Sequence, residues 1–461
     1  MSMRALPHSS QNGPNLDASE YPQPLASASA SRGPIQQLPA ELLGEIFLWC
    51  GNGEPAPWAP GGTIEWVLAQ VCSVWRVLAL SMPALWRKIY IMHGYSVYDN
   101  LPIEKLQKAL SLHLKRAGNT PLLVSFTTID LNVDERDNMR NEQRAFIIES
   151  LLAVADRWEQ AELQLTATEM HNVLFSPSAP SFPLLKALEF SYIGRPSDSS
   201  GGRGIMQFKH IHKASIAPNL RHLGYSGGAA PISLRGLQTQ FQSLSLPWSR
   251  ITSLSLENYP SWRGKLQNAI AILRLGHALE DLRLADFLPQ VGRVDSNDIV
   301  SLDKLKSLTF HASNSVLLSH LRAPNLGYLS LDQLFNPHTH LNVLDLLSQT
   351  TKLTHLIISD TNIPFDALIR MLELAPGLHV LVLRDLVKSV DSELVAALTC
   401  DIMPKLEQLE ITGRFSLAAA HPLVKLVQSR AGRLRHVKFT GLTLPQELYS
   451  QLKDSGFANL L

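Results

Sequence analysis

Leu38-Pro39-Ala40-Glu41-Leu42-Leu43-Gly44-Glu45-Ile46-Phe47, answered further on by Val71-Cys72-Ser73-Val74-Trp75-Arg76, decides how this chain is read. Pro39 sits where a first helical turn tolerates it, because its missing N–H would be unpaired there anyway. From there Leu42, Leu43, Ile46 and Phe47 form one apolar stripe at helical spacing. Residues 51–62, with three prolines and four glycines, read as a loop. A second helix is expected from about Ile64 to Leu80, with Val67, Leu68, Val71, Cys72, Trp75, Leu78 and Ala79 inward or interfacial. Pro83 breaks the chain and Leu85-Trp86 starts a third short element. So small a unit carries more apolar surface than it can bury on itself, and a partner protein is expected to cover it.

From about residue 160 the phrase LxxLxL recurs ten times, with Ile, Phe, Tyr or Val allowed in the slots. It begins with Leu185/Leu188/Phe190, passes through Leu279/Leu282/Leu284 and Leu378/Leu381/Leu383, and ends with Leu434/Val437/Phe439. Successive phrases begin 21 to 35 residues apart, mostly within or near the roughly 20–29 residues of a leucine-rich repeat. Between phrases the period changes to that of a helix, as in Leu266/Ala269/Ile270/Leu273 and Phe365/Leu368/Ile369/Leu372. Strand then helix, repeated, implies stacked units that bury each other's faces. The expected fold is α/β, a solenoid with parallel strands on its concave side and helices on its convex side, behind the N-terminal helical hairpin. Residues 1–33 are expected as a disordered leader, 34–92 as the hairpin domain, 93–158 as a connector and 159–461 as the solenoid. Within the connector the pattern predicts helices at Ile103–Leu114 and Phe146–Trp158, a strand at Leu122–Phe126 and a charged loop from Asp134 to Glu142.

With 461 residues, 45% of them hydrophobic and only 18% charged, the chain can bury a large interior and has surface left for partners. A formal net charge of +1 with mixed signs offers no electrostatic footprint for nucleic acid or an anionic membrane. No stretch approaches the roughly 18 apolar residues of a membrane span. Cys50, Cys72 and Cys400 are far apart, without CxxC spacing, and Asn-x-Ser/Thr is absent. Reduced thiols in the cytoplasm or nucleus are the expectation.

The hairpin resembles the F-box in its divergent, fungal F-box-like form. Leu38-Pro39-x-Glu41-Leu42-Leu43-x-Glu45-Ile46-Phe47, Val71-Cys72-x-x-Trp75-Arg76 and Leu80-x-x-Pro83-x-Leu85-Trp86 carry the resemblance in order over about 55 residues. It departs in the long Pro/Gly-rich stretch from Cys50 to Thr63. The tail is similar to the irregular leucine-rich repeats that follow F-boxes, but lacks the Asn usual after the last Leu of the phrase. The resemblance implies a substrate-recognition adaptor of a Skp–cullin–F-box ubiquitin ligase. By position Leu38, Pro39, Leu42, Leu43, Ile46, Phe47, Val71 and Trp75 would contact the Skp-type adaptor. The alternative is a non-ligase scaffold whose hairpin only caps the solenoid.

Chemistry is expected to be absent, so neither an enzyme nor a cofactor is predicted. Gly224-Tyr225-Ser226-Gly227-Gly228 fits the GxSxG turn of hydrolases, but Pro231 follows where a helix is needed. His210-x-His212 and His338-x-His340 lack carboxylate or thiolate partners nearby in sequence. Gly201-Gly202-Arg203-Gly204 lacks the Lys-Ser/Thr of a phosphate loop. What remains is the polar set that stands out between the leucines. Asp281, Arg283, Tyr328, Asp332, His355, Arg384, Glu410 and Lys438 are the predicted contacts for a protein client.

Overall fold

The structure is a computed structural model; it describes residues 35, 38–51, 63–93, 102–128, 138–175, 180–192, 217–226, 246–257, 266–285, 298–311, 316–333, 339–386, 390, 392–399, 402–430, 432–441, 445, 447–448 and 450. The expected leader, the turn at 201–204 and most of the loop at 51–62 lie outside them.

Three helices open the chain: α1 (Ala40–Cys50), α2 (Ile64–Val71) and α3 (Ser73–Leu80), followed by a 3-10 turn, Pro83–Trp86. The single helix expected over 64–80 is therefore two. Cys72 is extended (φ −158°, ψ 172°), and the break is sealed on both sides. The Arg76 N–H donates to the Cys72 carbonyl at 2.9 Å and its Nε–H to the Ala69 carbonyl at 2.9 Å. Carbonyls left open at the end of α2 thus find donors in the next helix. The break re-aims Trp75, whose ring meets Phe47 edge-on at 4.9 Å.

Strand then follows strand in one thirteen-stranded parallel sheet, each pairing with the next along the chain. These are β1 (Lys88–His93), β2 (Leu122–Thr128), β3 (Trp158–Leu165), β4 (Ala187–Tyr192), β5 (His222–Ser226), β6 (Ser253–Glu257), β7 (Asp281–Ala285), β8 (Ser307–His311), β9 (Tyr328–Asp332), β10 (His355–Ser359), β11 (Val380–Arg384), β12 (Gln408–Thr412) and β13 (His436–Thr440). The architecture is that of a leucine-rich-repeat-like solenoid. All ten phrases place their three apolar residues in the core, from Leu185, Leu188 and Phe190 to Leu434, Val437 and Phe439. Helices such as α4 (Ile103–Arg116), α5 (Asn138–Leu152), α6 (Leu266–Leu275), α7 (Thr339–Ser348) and α8 (Phe365–Glu373) supply the other half of that core.

Sheet pairing begins at Lys88, well ahead of residue 159, and the segment expected as a connector holds β2 and the first residue of β3. The reason is periodicity. Ile89 and Ile91, and Leu122, Val124 and Phe126, alternate inward as the later phrases do, without the leading LxxL. Trp158 begins β3 and does not end a helix; its side chain is buried three residues ahead of Ala161, from which burial alternates through Leu163 and Leu165. Asn138 to Glu142, expected in a loop, are the start of α5.

Two backbone ladders hold the repeats in register. At strand entry one carbonyl receives two successive N–H groups of the next repeat: Thr252 takes Glu280 and Asp281 at 2.7 and 3.0 Å, and Glu280 takes Lys306 and Ser307 at 2.8 and 3.0 Å. At strand exit, Gln333, Asp360 and Asp385 adopt left-handed backbone (φ 55°, 45° and 47°). Their N–H groups donate to Ser359, Arg384 and Thr412 at the end of the neighbouring strand, at 3.2, 2.9 and 2.8 Å. Gly413 does the same to Thr440 at 3.1 Å. These exits satisfy backbone polar groups that would otherwise be left open at the strand ends.

Gly441 ends the series with φ +88°, and a Cβ there would lie 2.4 Å from the Gly413 carbonyl oxygen. Gly441→Ala is expected to destabilise the chain by about 1–3 kcal/mol. The check is a urea titration with unchanged slope and a lower midpoint.

Candidate docking site

Ten of the fifteen large apolar side chains that stand exposed among the described residues fall between residues 35 and 80. Ile35 precedes α1; the other nine are Leu42, Ile46 and Trp49 on α1, Ile64, Val67 and Val71 on α2, and Val74, Val77 and Leu80 on α3. Trp49 is 76% exposed, Val77 70% and Val74 67%, values that a self-contained core would not leave. Beside this ridge runs a cleft of about 660 Å³, walled by Leu38, Leu43, Val74, Trp75, Val77 and Leu78.

The structure separates the eight residues expected to face an adaptor. Pro39, Leu42, Ile46 and Val71 are exposed, and Leu38 and Trp75 are half-buried on the cleft. Leu43 and Phe47 are interior and pack the hairpin together, Leu43 reaching only the wall of the cleft. Trp49, Val74 and Val77 stand exposed beside them and lie outside the expected set, because Trp49 is one turn beyond the stripe and the two valines show their direction only once the helix breaks at Cys72. Of the set expected inward or interfacial over this segment, Val67 is 47% exposed, because α2 turns Leu68 and Ala69 to the core.

Behind the ridge the hairpin is joined to the first repeats. Trp86 is wholly buried and its indole N–H donates to the Ala79 carbonyl at 2.8 Å. Trp66 and His113 meet it edge-on at 5.3 Å each, and the Arg116 guanidinium lies 4.3 Å from the Trp66 ring and 4.4 Å from Trp86. The Lys88 ammonium donates to the Gly51 carbonyl at 2.7 Å, tying β1 to the end of α1.

His113, on α4, is fully buried, 3.7 Å from the Glu65 carboxylate. Burial pushes its pKa from 6.5 down to about 4, and burial also raises that of Glu65. The imidazole is neutral at pH 7. An unfolded chain takes up that proton near 6.5 and the folded chain only near 4. The contribution of His113 is therefore complete above about pH 6.5 and is lost toward about pH 4, by up to about 3 kcal/mol. Glu65 acts in the opposite sense, its contribution declining as pH rises above 4.5. His113→Gln removes the first contribution alone, so its denaturation midpoint should fall less between about pH 7 and about pH 5 than that of the wild type.

All eight predicted client residues lie on the sheet face turned away from the phrase leucines. Asp281, Tyr328 and His355 share one cross-strand row, Arg283, Glu410 and Lys438 a second, Asp332 and Arg384 a third. They are not one cluster. Arg283 pairs with Glu257 at 2.6 Å, Asp332 with His311 at 2.9 Å, and Asp281 accepts from the Ser253 hydroxyl at 3.1 Å. Glu410 sits between Arg384 at 3.3 Å and Lys438 at 3.5 Å, cations that outweigh its desolvation and hold its carboxyl below the usual range. Tyr328 and His355 stack 6.1 Å apart.

Gly224, Tyr225 and Ser226 belong to β5, so the described part of the GxSxG match is a strand of the sheet. Of the paired histidines only His340 lies among the described residues. Among these no group of three or more His, Cys, Asp or Glu could hold a metal ion, and no helix is long and apolar enough to cross a membrane.

No protein-family model and no curated protein matches the chain. Solved structures similar to it include the Rad7–Elc1 complex of yeast, at 14% identity and a TM-score of 0.34, covering 78% of this chain and 84% of the other. A Bacteroides fragilis protein is similar at 12% identity and 0.33, covering 70% and 84%. The mouse RP105/MD-1 complex is similar at 13% and 0.31, covering 70% and 61%.

Proposed function

We propose that the chain is a substrate-recognition adaptor of a Skp–cullin–F-box ubiquitin ligase: the hairpin docks on a Skp-type adaptor and the open sheet face takes a protein client. One observation carries this reading. The ridge over α1, α2 and α3 stays exposed although the chain has a large core in which to bury it, and the same segment bears the F-box-like motifs. The chain itself has no active site in this reading; it raises the local concentration of a client beside a charged ubiquitin-transfer enzyme.

The second reading is a scaffold in which the hairpin only caps the repeats, and the packing of Trp86, Trp66 and Arg116 favours it. Co-expression of the full chain with a Skp-type adaptor separates the two. A stoichiometric complex on size exclusion supports the ligase adaptor, and separate elution of both chains supports the cap. In either reading Ser226→Ala leaves binding unaltered.

A further inference from the structure

Resting on the reading of the open sheet face as the client side, we infer that its β1–β7 portion docks an extended basic segment of a protein, with a hollow over β1–β4 receiving a lysine or arginine side chain. On this face β1 to β7 carry Glu162, Glu189, Glu257 and Asp281 against two cations, Lys88 and Arg283, the first donating to the Gly51 carbonyl and the second paired with Glu257. The face is thus opposite in sign to the chain as a whole, whose net charge is +1.

Glu162 and Glu189 stand abreast on neighbouring parallel strands, about 4.8 Å apart along the hydrogen-bonding direction. Like charges placed so are unfavourable for the sheet itself. They splay apart: Glu162 accepts from the Ser125 hydroxyl at 2.9 Å, and Glu189 turns the other way to His222 Nε2 at 3.0 Å. Gly224 permits this, because a Cβ there would lie 2.6 Å from Glu189 Cγ. His222 in turn holds the Glu189 carboxyl below its usual range, so it is ionised at neutral pH.

The hollow holds about 290 Å³, with Tyr90, Leu123 and Ala187 lining it beside the two glutamates. Lys88 also lines it, its ammonium donating to the Gly51 carbonyl. Apolar and aromatic walls suit the methylene stem and cationic head of a long basic side chain, and the carboxylates suit its charge. Small side chains at Ser125, Gly224, Ser253 and Ser255 leave the face low enough for an extended backbone to approach.

The test uses the full chain and a fluorescein-labelled nonapeptide of alternating arginine and serine, followed by anisotropy. Its twin with glutamate for arginine is the charge control. Saturable binding of the basic peptide is expected, weakened about tenfold or more in E162Q/E189Q and unchanged in E280Q, a carboxylate outside this face. No saturation, equal binding of the acidic twin, or wild-type binding by E162Q/E189Q would overturn the inference. Displacement of the peptide by calcium or magnesium chloride, beyond the effect of equal ionic strength, would also overturn it in favour of a cation site. Adaptor capture is measured in parallel. If E162Q/E189Q keeps it while the peptide result fails, only this inference falls; if no adaptor binds while the peptide does, only the ligase reading falls.

Discussion

V74D/V77D is expected to abolish capture of a Skp-type adaptor while leaving the fold intact. Both side chains are more than two-thirds exposed, so the free chain loses little; surface changes of this kind shift stability by about 0.5 kcal/mol or less. Under an apolar partner surface, the same carboxylates would be stripped of water, at a cost of several kcal/mol. Every 1.4 kcal/mol is about tenfold in affinity, so a loss of about 100-fold or more is expected. Isothermal titration of the variant against the adaptor, beside its thermal melt, reads both halves of the prediction. Undiminished affinity would remove α3 from the contact.

Trp86→Ala should be among the most damaging single truncations, costing about 3–5 kcal/mol. The ring is wholly buried and is shared by three packing partners from two helices: Trp66 of α2, and His113 and the Arg116 guanidinium of α4. Removing it leaves a cavity, an unmatched Ala79 carbonyl and a cation stripped of one aromatic face. A lower urea midpoint is the expected reading. Because the ring joins hairpin to repeats, the variant should also lose the single coincident transition, the hairpin melting before the sheet. A midpoint within error of wild type would mean that the junction contributes little.

How far the residues themselves announced this structure depends on the kind of signal. The phrase leucines were legible, because the phrase returns at a near-regular step, and every one is in the core. Of the first three strands only β2 was legible, as a strand at Leu122–Phe126; β1 alternates correctly but lacks the LxxL entrance, and Trp158 looks equally at home on a helix. Cys72 gives no local warning of a helix break; the break depends on Arg76 reaching back to Ala69, a tertiary contact. In the hairpin, Leu43 and Phe47 carry the same chemistry as Leu42 and Ile46, and only packing tells interior from surface. On the sheet face the period-2 rule placed Arg283, Glu410 and Lys438 outward. The partnership of Glu189, His222 and Gly224 spans two strands and became visible only with their register. The left-handed exits at Asp360 and Asp385 had no sequence signature beyond residue types that tolerate them.

The most direct measurement is hydrogen–deuterium exchange on the full chain with and without a Skp-type adaptor. Slowed exchange over residues 40–50 and 64–80, with β4 to β13 unchanged, is the predicted result. Unaltered exchange across those helices at saturating adaptor, or protection confined to the sheet, would contradict the account.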